Sequence, residues 1–357
     1  MLKTVRASYL ARCLASSLPV NPGRRPGRRL PTSLAWYLAA SSGVSILEGD
    51  VCVVSWIRFD NEPEEPLLIP TAVAVVNGKG GTGKTSIVAN VAGLAAAGGY
   101  RVLAVDLDPQ ANLARDLGYV DRSDGGVGLL AALAGHQPIP VLDSVRPGLS
   151  VIPGGEDLED WAPLANARRG RSRQPETALY AALRPVASEY DLLLIDCPPG
   201  NRELQFLALV AARHVVIPTR PDEASFDGLV RVARIFDAVR PLNPSLDLLG
   251  VVLFGIETRA KRIRHEARSQ VAAELGDPGL VFDSDIRHLL APARDARARG
   301  QLAHEYEDSV LAAPRFYEAG GREERFASSA PGLASDYQKL TAELLTRLQA
   351  STMAVTA

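Results

Sequence analysis

The chain has 357 residues, 46% of them hydrophobic and 22% charged, with a formal net charge of −2. That balance is close to an average globular protein, and it excludes a chain-wide attraction to polyanions, so any nucleic-acid binding must come from a local patch. Cys13, Cys52 and Cys197 form no CxxC pair, which excludes a disulfide framework or cysteine metal site and points to a reducing compartment; no apolar run approaches the roughly 20 residues that span a bilayer.

Residues 1–47 carry seven basic residues (Lys3, Arg6, Arg12, Arg24, Arg25, Arg28 and Arg29) and no acid. Pro19 to Pro31 reads as a disordered basic arm. An Arg-rich, acid-free segment fits a transit-like peptide, but it lacks an apolar h-region and a cleavage site. A solvated tail, or a start codon placed too far upstream, is the favoured reading. Glu62-Pro-Glu-Glu-Pro66 makes a linker. The expected organisation is therefore a poorly ordered extension over 1–68, one nucleotide-binding domain over 69–350, and an uncharged C-terminal tail over 351–357.

From Thr71 onward, short apolar runs alternate with longer helical stretches. Strands are predicted at Ala72–Val76, Arg101–Asp106, Leu149–Ile152, Leu192–Asp196, His214–Pro218 and Leu248–Phe254. Helices are predicted from about Lys84 to Ala97, from Ala111, and over Glu176–Glu189, Ser225–Val239, Lys261–Leu275 and Ala334–Gln349. Apolar runs of this length between helices predict an α/β fold, a parallel β-sheet with helices on both faces.

Gly78-Lys-Gly-Gly-Thr-Gly-Lys-Thr85 satisfies G-x-x-x-x-G-K-[ST] and lies between a predicted strand and a predicted helix, the context this phosphate loop requires. Glycines let the backbone wrap tightly and aim N–H groups at phosphate oxygens, and the helix adds its positive dipole end. The expected ATP-phosphate set is Gly78, Lys79, Gly80, Gly81, Thr82, Gly83, Lys84, Thr85 and Ser86. Lys84 is expected to reach the β- and γ-phosphates, and Thr85 to hold Mg²⁺. Leu192-Leu-Leu-Ile-Asp196 is an apolar strand ending in an acid, which places Asp196 on the metal side. Val102-Leu-Ala-Val-Asp106-Leu-Asp108 puts two carboxylates at the C-terminal edge of another strand, where open α/β sheets bind ligands. One could sit near Mg²⁺ and the other could activate the attacking water; a merely solvated loop is the competing reading.

The second lysine, Lys79, gives the loop the K-G-G-x-G-K-T form. With Asp106-Leu-Asp108-Pro-Gln110-Ala-Asn112 and Asp196-Cys-Pro-Pro199, it resembles the ParA/Soj branch of the ParA–MinD ATPases from about Ala72 to Glu305. The resemblance implies an ATP-dependent sandwich homodimer in which Lys79 reaches the partner's phosphates. It further implies that Lys79, Lys84 and Asp108 are catalytic, and that Thr85, Asp106 and Asp196 serve Mg²⁺. Gly80 and Gly81 would lie at the close subunit contact, and adenine near Phe254–Ile256 and Asp283–Arg287.

Partition ATPases of this kind bind DNA non-specifically. The corresponding cations here are Arg259, Lys261, Arg262, Arg264, Arg268 and Arg287. Cations at the start of a helix can follow a phosphate backbone without reading sequence, although Glu257 and Glu266 partly offset them. The run Arg168-Arg-Gly-Arg-Ser-Arg173 reads as a solvated loop. The implied setting is cytoplasmic and nucleoid-associated, with slow hydrolysis stimulated by a ParB-like centromere-binding protein or another activator.

A MinD-like positioning ATPase with a membrane or protein cargo is the alternative, and a P-loop scaffold with little turnover is a third reading. Against a membrane helix, the stripe Leu340, Leu344, Leu345 and Leu348 has few flanking cations, so docking onto the domain is expected. Residues 305–333 are longer than the compact ending of short partition ATPases, which opens a plasmid, phage or chromosomal-cargo variant.

Overall fold

A computed structural model describes residues 67–169, 174–222, 232–257, 261–313 and 327–356. The basic arm and its linker, Arg171 and Arg173, the start of the helix predicted from Ser225, Arg259 and Arg322–Arg325 lie outside the described residues.

Eight strands form one sheet in the order β3-β4-β2-β5-β1-β6-β7-β8. They are β1 (Ile69–Val75), β2 (Val102–Asp106), β3 (Leu142–Arg146), β4 (Leu149–Ile152), β5 (Leu192–Asp196), β6 (Ala212–Thr219), β7 (Asp247–Ile256) and β8 (Val281–Arg287). All neighbours are parallel except β3, which pairs antiparallel with β4 at the edge. Every residue of β2 and β5 is buried, as continuous apolar strands covered on both faces must be.

The helices are α1 (Lys84–Ala97), α2 (Asn112–Asp116), α3 (Val127–Leu133), α4 (Trp161–Arg168), α5 (Ala178–Ala187), α6 (Arg202–Ala211), α7 (232–239), α8 (Lys261–Leu275), α9 (Leu290–Ala298), α10 (Ala303–Ala312) and α11 (Ala330–Thr356). On one face, Val73 and Val75 of β1, Val102 and Ala104 of β2 and Leu192 and Leu194 of β5 form a core with α1 and α11. The alternate residues, such as Ala72, Ala74, Leu103 and Leu193, are equally buried and point to the other face, where α5 and α6 pack. Because β1, β2, β5, β6 and β7 run parallel, their C-terminal ends share one edge, and the loops that follow them converge there.

Four elements differ from expectation for identifiable reasons. β3 and β8 carry polar residues inside the strand (Asp143 and Ser144; Asp283, Ser284 and Asp285), so neither shows an apolar run. The helix expected over Glu176–Glu189 opens as a 3₁₀ turn over Pro175–Thr177 and ends at Ala187, two residues after an internal Pro185. The final helix begins at Ala330, where Pro331 suits a first turn, and runs on to Thr356, so 351–356 are helical rather than a tail. Leu340 and Leu344 are fully buried in the core, and Leu345 and Leu348 pack against it. Among the described residues, no helix is long and apolar enough to cross a membrane.

Candidate nucleotide site

The loop between β1 and α1 is held from below before it turns. Val76 N–H donates to the carbonyl of Val216 (3.1 Å). The fully buried Asn77 donates from Nδ2 to the Pro218 carbonyl (2.7 Å) and accepts the Lys79 N–H (2.9 Å) on Oδ1. One amide thus ties the loop to β6 and sets its first bend. Gly83 caps α1 in the left-handed region at φ 87°. A β-carbon there would lie 2.3 Å from the Phe254 ring, so conformation and space both require glycine. Gly80 and Gly81 are different: a β-carbon on Gly80 would come no nearer than 4.0 Å to Pro199, and one on Gly81 would meet nothing within 4 Å. Both are exposed.

The two lysines diverge. Lys84 is buried, and its ammonium donates to the Lys79 carbonyl (3.2 Å) inside the loop. Burial lowers its pKa, against the pull of Asp196, Cys197 and Asp108. Lys79 instead reaches outward along the rim, 2.7 Å from Asp222 Oδ1. The N–H groups of Lys84, Thr85 and Ser86 open α1, where no earlier turn supplies carbonyls.

Asp106 and Asp196 are exact neighbours in the sheet register, both fully buried. Asp106 accepts the Asp108 N–H on Oδ1 (2.9 Å), while its Oδ2 and both oxygens of Asp196 lack a well-formed hydrogen bond, with the Thr85 hydroxyl nearby. Burial raises Asp106 well above the usual carboxylate range, with repulsion from Asp196 adding to it. Burial also raises Asp196, opposed by the Thr85 hydroxyl and the Lys84 ammonium. Adjacent buried acids that face a single ammonium are under-compensated, and their hard oxygens beside a threonine hydroxyl suit Mg²⁺. Asp108 is also buried and accepts the Gln110 N–H (3.0 Å).

The loop, the carboxylate pair and the glycine-gated Phe254 thus occupy one sheet edge. A family model described as an AAA domain matches residues 70–248, half of the chain. The chromosome partitioning protein ParA of Caulobacter vibrioides is 33% identical over 219 residues, covering 60% of this chain and 79% of that protein. The chain belongs to the ParA–MinD family of P-loop ATPases. Among solved structures, Cyanothece McdA in complex with ATP superposes with a TM-score of 0.63 at 20% identity, covering 78% of this chain and 97% of that one. The septum site-determining protein MinD of Pyrococcus horikoshii, complexed with Mg-ADP, gives 0.52 at 22%, covering 76% and 95%. These two likenesses speak for the fold.

Within this ParA–MinD fold, the remaining expected residues fall in two other places. Ser86 turns its hydroxyl away from the loop and onto Asp116 Oδ2 (3.3 Å), a carboxylate also paired with Arg297. Its side chain therefore lies outside the loop. The arginines expected to meet DNA are largely engaged within the chain. Arg264 pairs with Asp285 (2.9 Å), Arg268 with Asp283 (2.8 Å), and Arg287 with the nearly buried Asp336 (2.7 Å). Arg262 forms an exposed pair with Glu266 on the same helix (3.1 Å), and Lys261 is exposed beside it. Asp283, Asp285 and Arg287 are thus committed to α8 and α11, while Phe254 faces Gly83.

Sequence reasoning missed Arg220, Asp222 and Asp116. Arg220 Nη1 lies 3.4 Å from the Gly81 carbonyl, and Asp222 holds Lys79. Both follow β6 in a stretch with no motif, 139 and 143 residues from their partners, so only strand adjacency brings them in.

Proposed function

We propose that this chain is a slow, Mg²⁺-dependent ATPase of the partition type, which forms a homodimer on ATP and positions a large cargo. The observation that carries the reading is the divergence of the two loop lysines. Lys84 turns into its own cradle, whereas Lys79 stands at an exposed rim beside Gly80 and Gly81, whose faces meet almost nothing of their own chain. A lysine and two open glycines on one rim suit the approach of a second subunit's phosphates. In that dimer Lys79 supplies charge to the partner's nucleotide as negative charge spreads over the transferring phosphoryl group.

The phosphates rest on the N–H groups of Gly78 through Ser86, with Lys84 on the β- and γ-oxygens. Thr85, Asp106 and Asp196 would hold Mg²⁺, which when bound neutralises phosphate charge. Asp108, at the same edge, orients the attacking water and receives its proton. MinD of Pyrococcus horikoshii is complexed with Mg-ADP, which supports this pairing of nucleotide and metal. Non-specific DNA is the proposed tether, through Lys261 and Arg262 with Arg259, while Arg264, Arg268 and Arg287 support the surface from beneath. An activating partner protein of the ParB-like class ends the bound state by stimulating hydrolysis, and the working location is the nucleoid.

A second reading, positioning of a protein cargo without DNA, is favoured by one observation: three of the expected DNA arginines are ion-paired inside the chain. Light scattering and a DNA titration with ATP, ADP and no nucleotide test both readings. Dimers and salt-sensitive DNA binding with ATP alone support the first. ATP dimers that ignore DNA at low salt select the second. A chain monomeric at saturating ATP, with Lys79→Ala behaving as wild type, overturns both.

A further inference from the structure

The end of β6 and the turn after it clasp the phosphate loop at three points. Pro218 accepts the buried Asn77 amide (2.7 Å), Arg220 reaches the Gly81 carbonyl (3.4 Å), and Asp222 holds the Lys79 ammonium (2.7 Å). Asp222 N–H donates to the Arg220 carbonyl (2.8 Å), so one tight turn presents both side chains. The Asn77 contact is shielded from water. The Lys79–Asp222 contact is not, because the two side chains are 34% and 41% exposed and water competes for both.

A flexible four-carbon ammonium occupies one place at a time. While it sits on Asp222 it stays on the rim of its own subunit; to reach a partner's phosphates it must leave. We propose that Asp222 is a positioning residue for Lys79, holding the ammonium on its own subunit until ATP and a second copy of the chain draw it away, and so setting the ATP concentration at which the dimer forms. The proposal rests on the cross-subunit reading of Lys79 given above. Asp222 touches no reacting atom, and the proposed effect runs through that lysine. A half-exposed pair is worth up to about fivefold, and two must break per dimer, so removing them tightens dimerisation by up to about 25-fold.

The test uses the full chain with Asp222→Asn and Asp222→Glu. Light scattering across an ATP series should place the Asp222→Asn midpoint at up to about five-fold lower ATP, since each dimer takes up two ATP, with Asp222→Glu near wild type and ADP affinity the same in all three. Acylation of Lys79, followed by mass spectrometry without nucleotide, should be several-fold faster in Asp222→Asn. Equal acylation rates overturn the contact as a restraint, whatever the dimer does. Faster acylation with an unchanged or higher ATP midpoint overturns its control of assembly, a higher midpoint meaning that Asp222 serves the dimer itself. If both proteins remain monomeric at saturating ATP while acylation still differs, the cross-subunit reading is what fails, and control of assembly falls with it.

Discussion

Two groups of cations in this molecule look equally functional as sequence, yet the fold uses them in opposite ways. In the phosphate loop, Lys79 and Lys84 lie five residues apart on a backbone whose bends are set by Asn77, Gly81 and Gly83. Along α8 and β8, Arg264, Arg268 and Arg287 are spread over two elements and bind Asp285, Asp283 and Asp336. The first group works through contiguous geometry, so its spacing already states where charge is aimed. The second is a composition, and composition leaves open whether a cation meets solvent, ligand or a neighbouring acid.

The largest expected effect breaks the first group. Lys84→Ala removes a buried cation facing two buried carboxylates, and should weaken ATP binding at least about 100-fold, roughly 3 kcal/mol. Titration with a fluorescent ATP analogue measures it, and a loss below tenfold would show that the loop backbone alone carries the affinity.

The second prediction concerns Arg287, where the fold and a DNA role disagree. Arg287→Ala leaves Asp336, a side chain only 8% exposed, without its counter-charge and with only the backbone N–H of residue 287 (3.1 Å). The domain should lose about 3 kcal/mol and several degrees of Tm. An unchanged melting curve with lost DNA binding would return Arg287 to the surface group.

The smallest effect sharpens the comparison from the other side. Lys261→Ala/Arg262→Ala removes exposed charge and should leave Tm unchanged. DNA affinity should fall about three- to tenfold, with the salt slope reduced by about two per subunit. An equal loss at every salt concentration would assign these residues a structural role.

The readable parts of the sheet were those buried on both faces. β2 and β5 are uninterrupted apolar runs because each side chain, up or down, meets a helix layer. β8 showed no apolar run to read, since Asp283 and Asp285 serve as anchors for Arg268 and Arg264 within the strand. The carboxylates at the site were legible as strand-end acids. That Asp106 and Asp196 stand side by side follows from β5 pairing with β2, a register no local pattern encodes.

By itself, then, the sequence determined the phosphate loop, its two lysines and the parallel strands around it, because each depends on residues within one turn or one strand. Only the tertiary structure decided that Asp222 meets Lys79 across 143 positions, that Ser86 turns toward Asp116, and that the α8 arginines are paired. The reason is physical: backbone conformation is set by near neighbours, whereas the partner of a charge is whichever element the strand order places within reach.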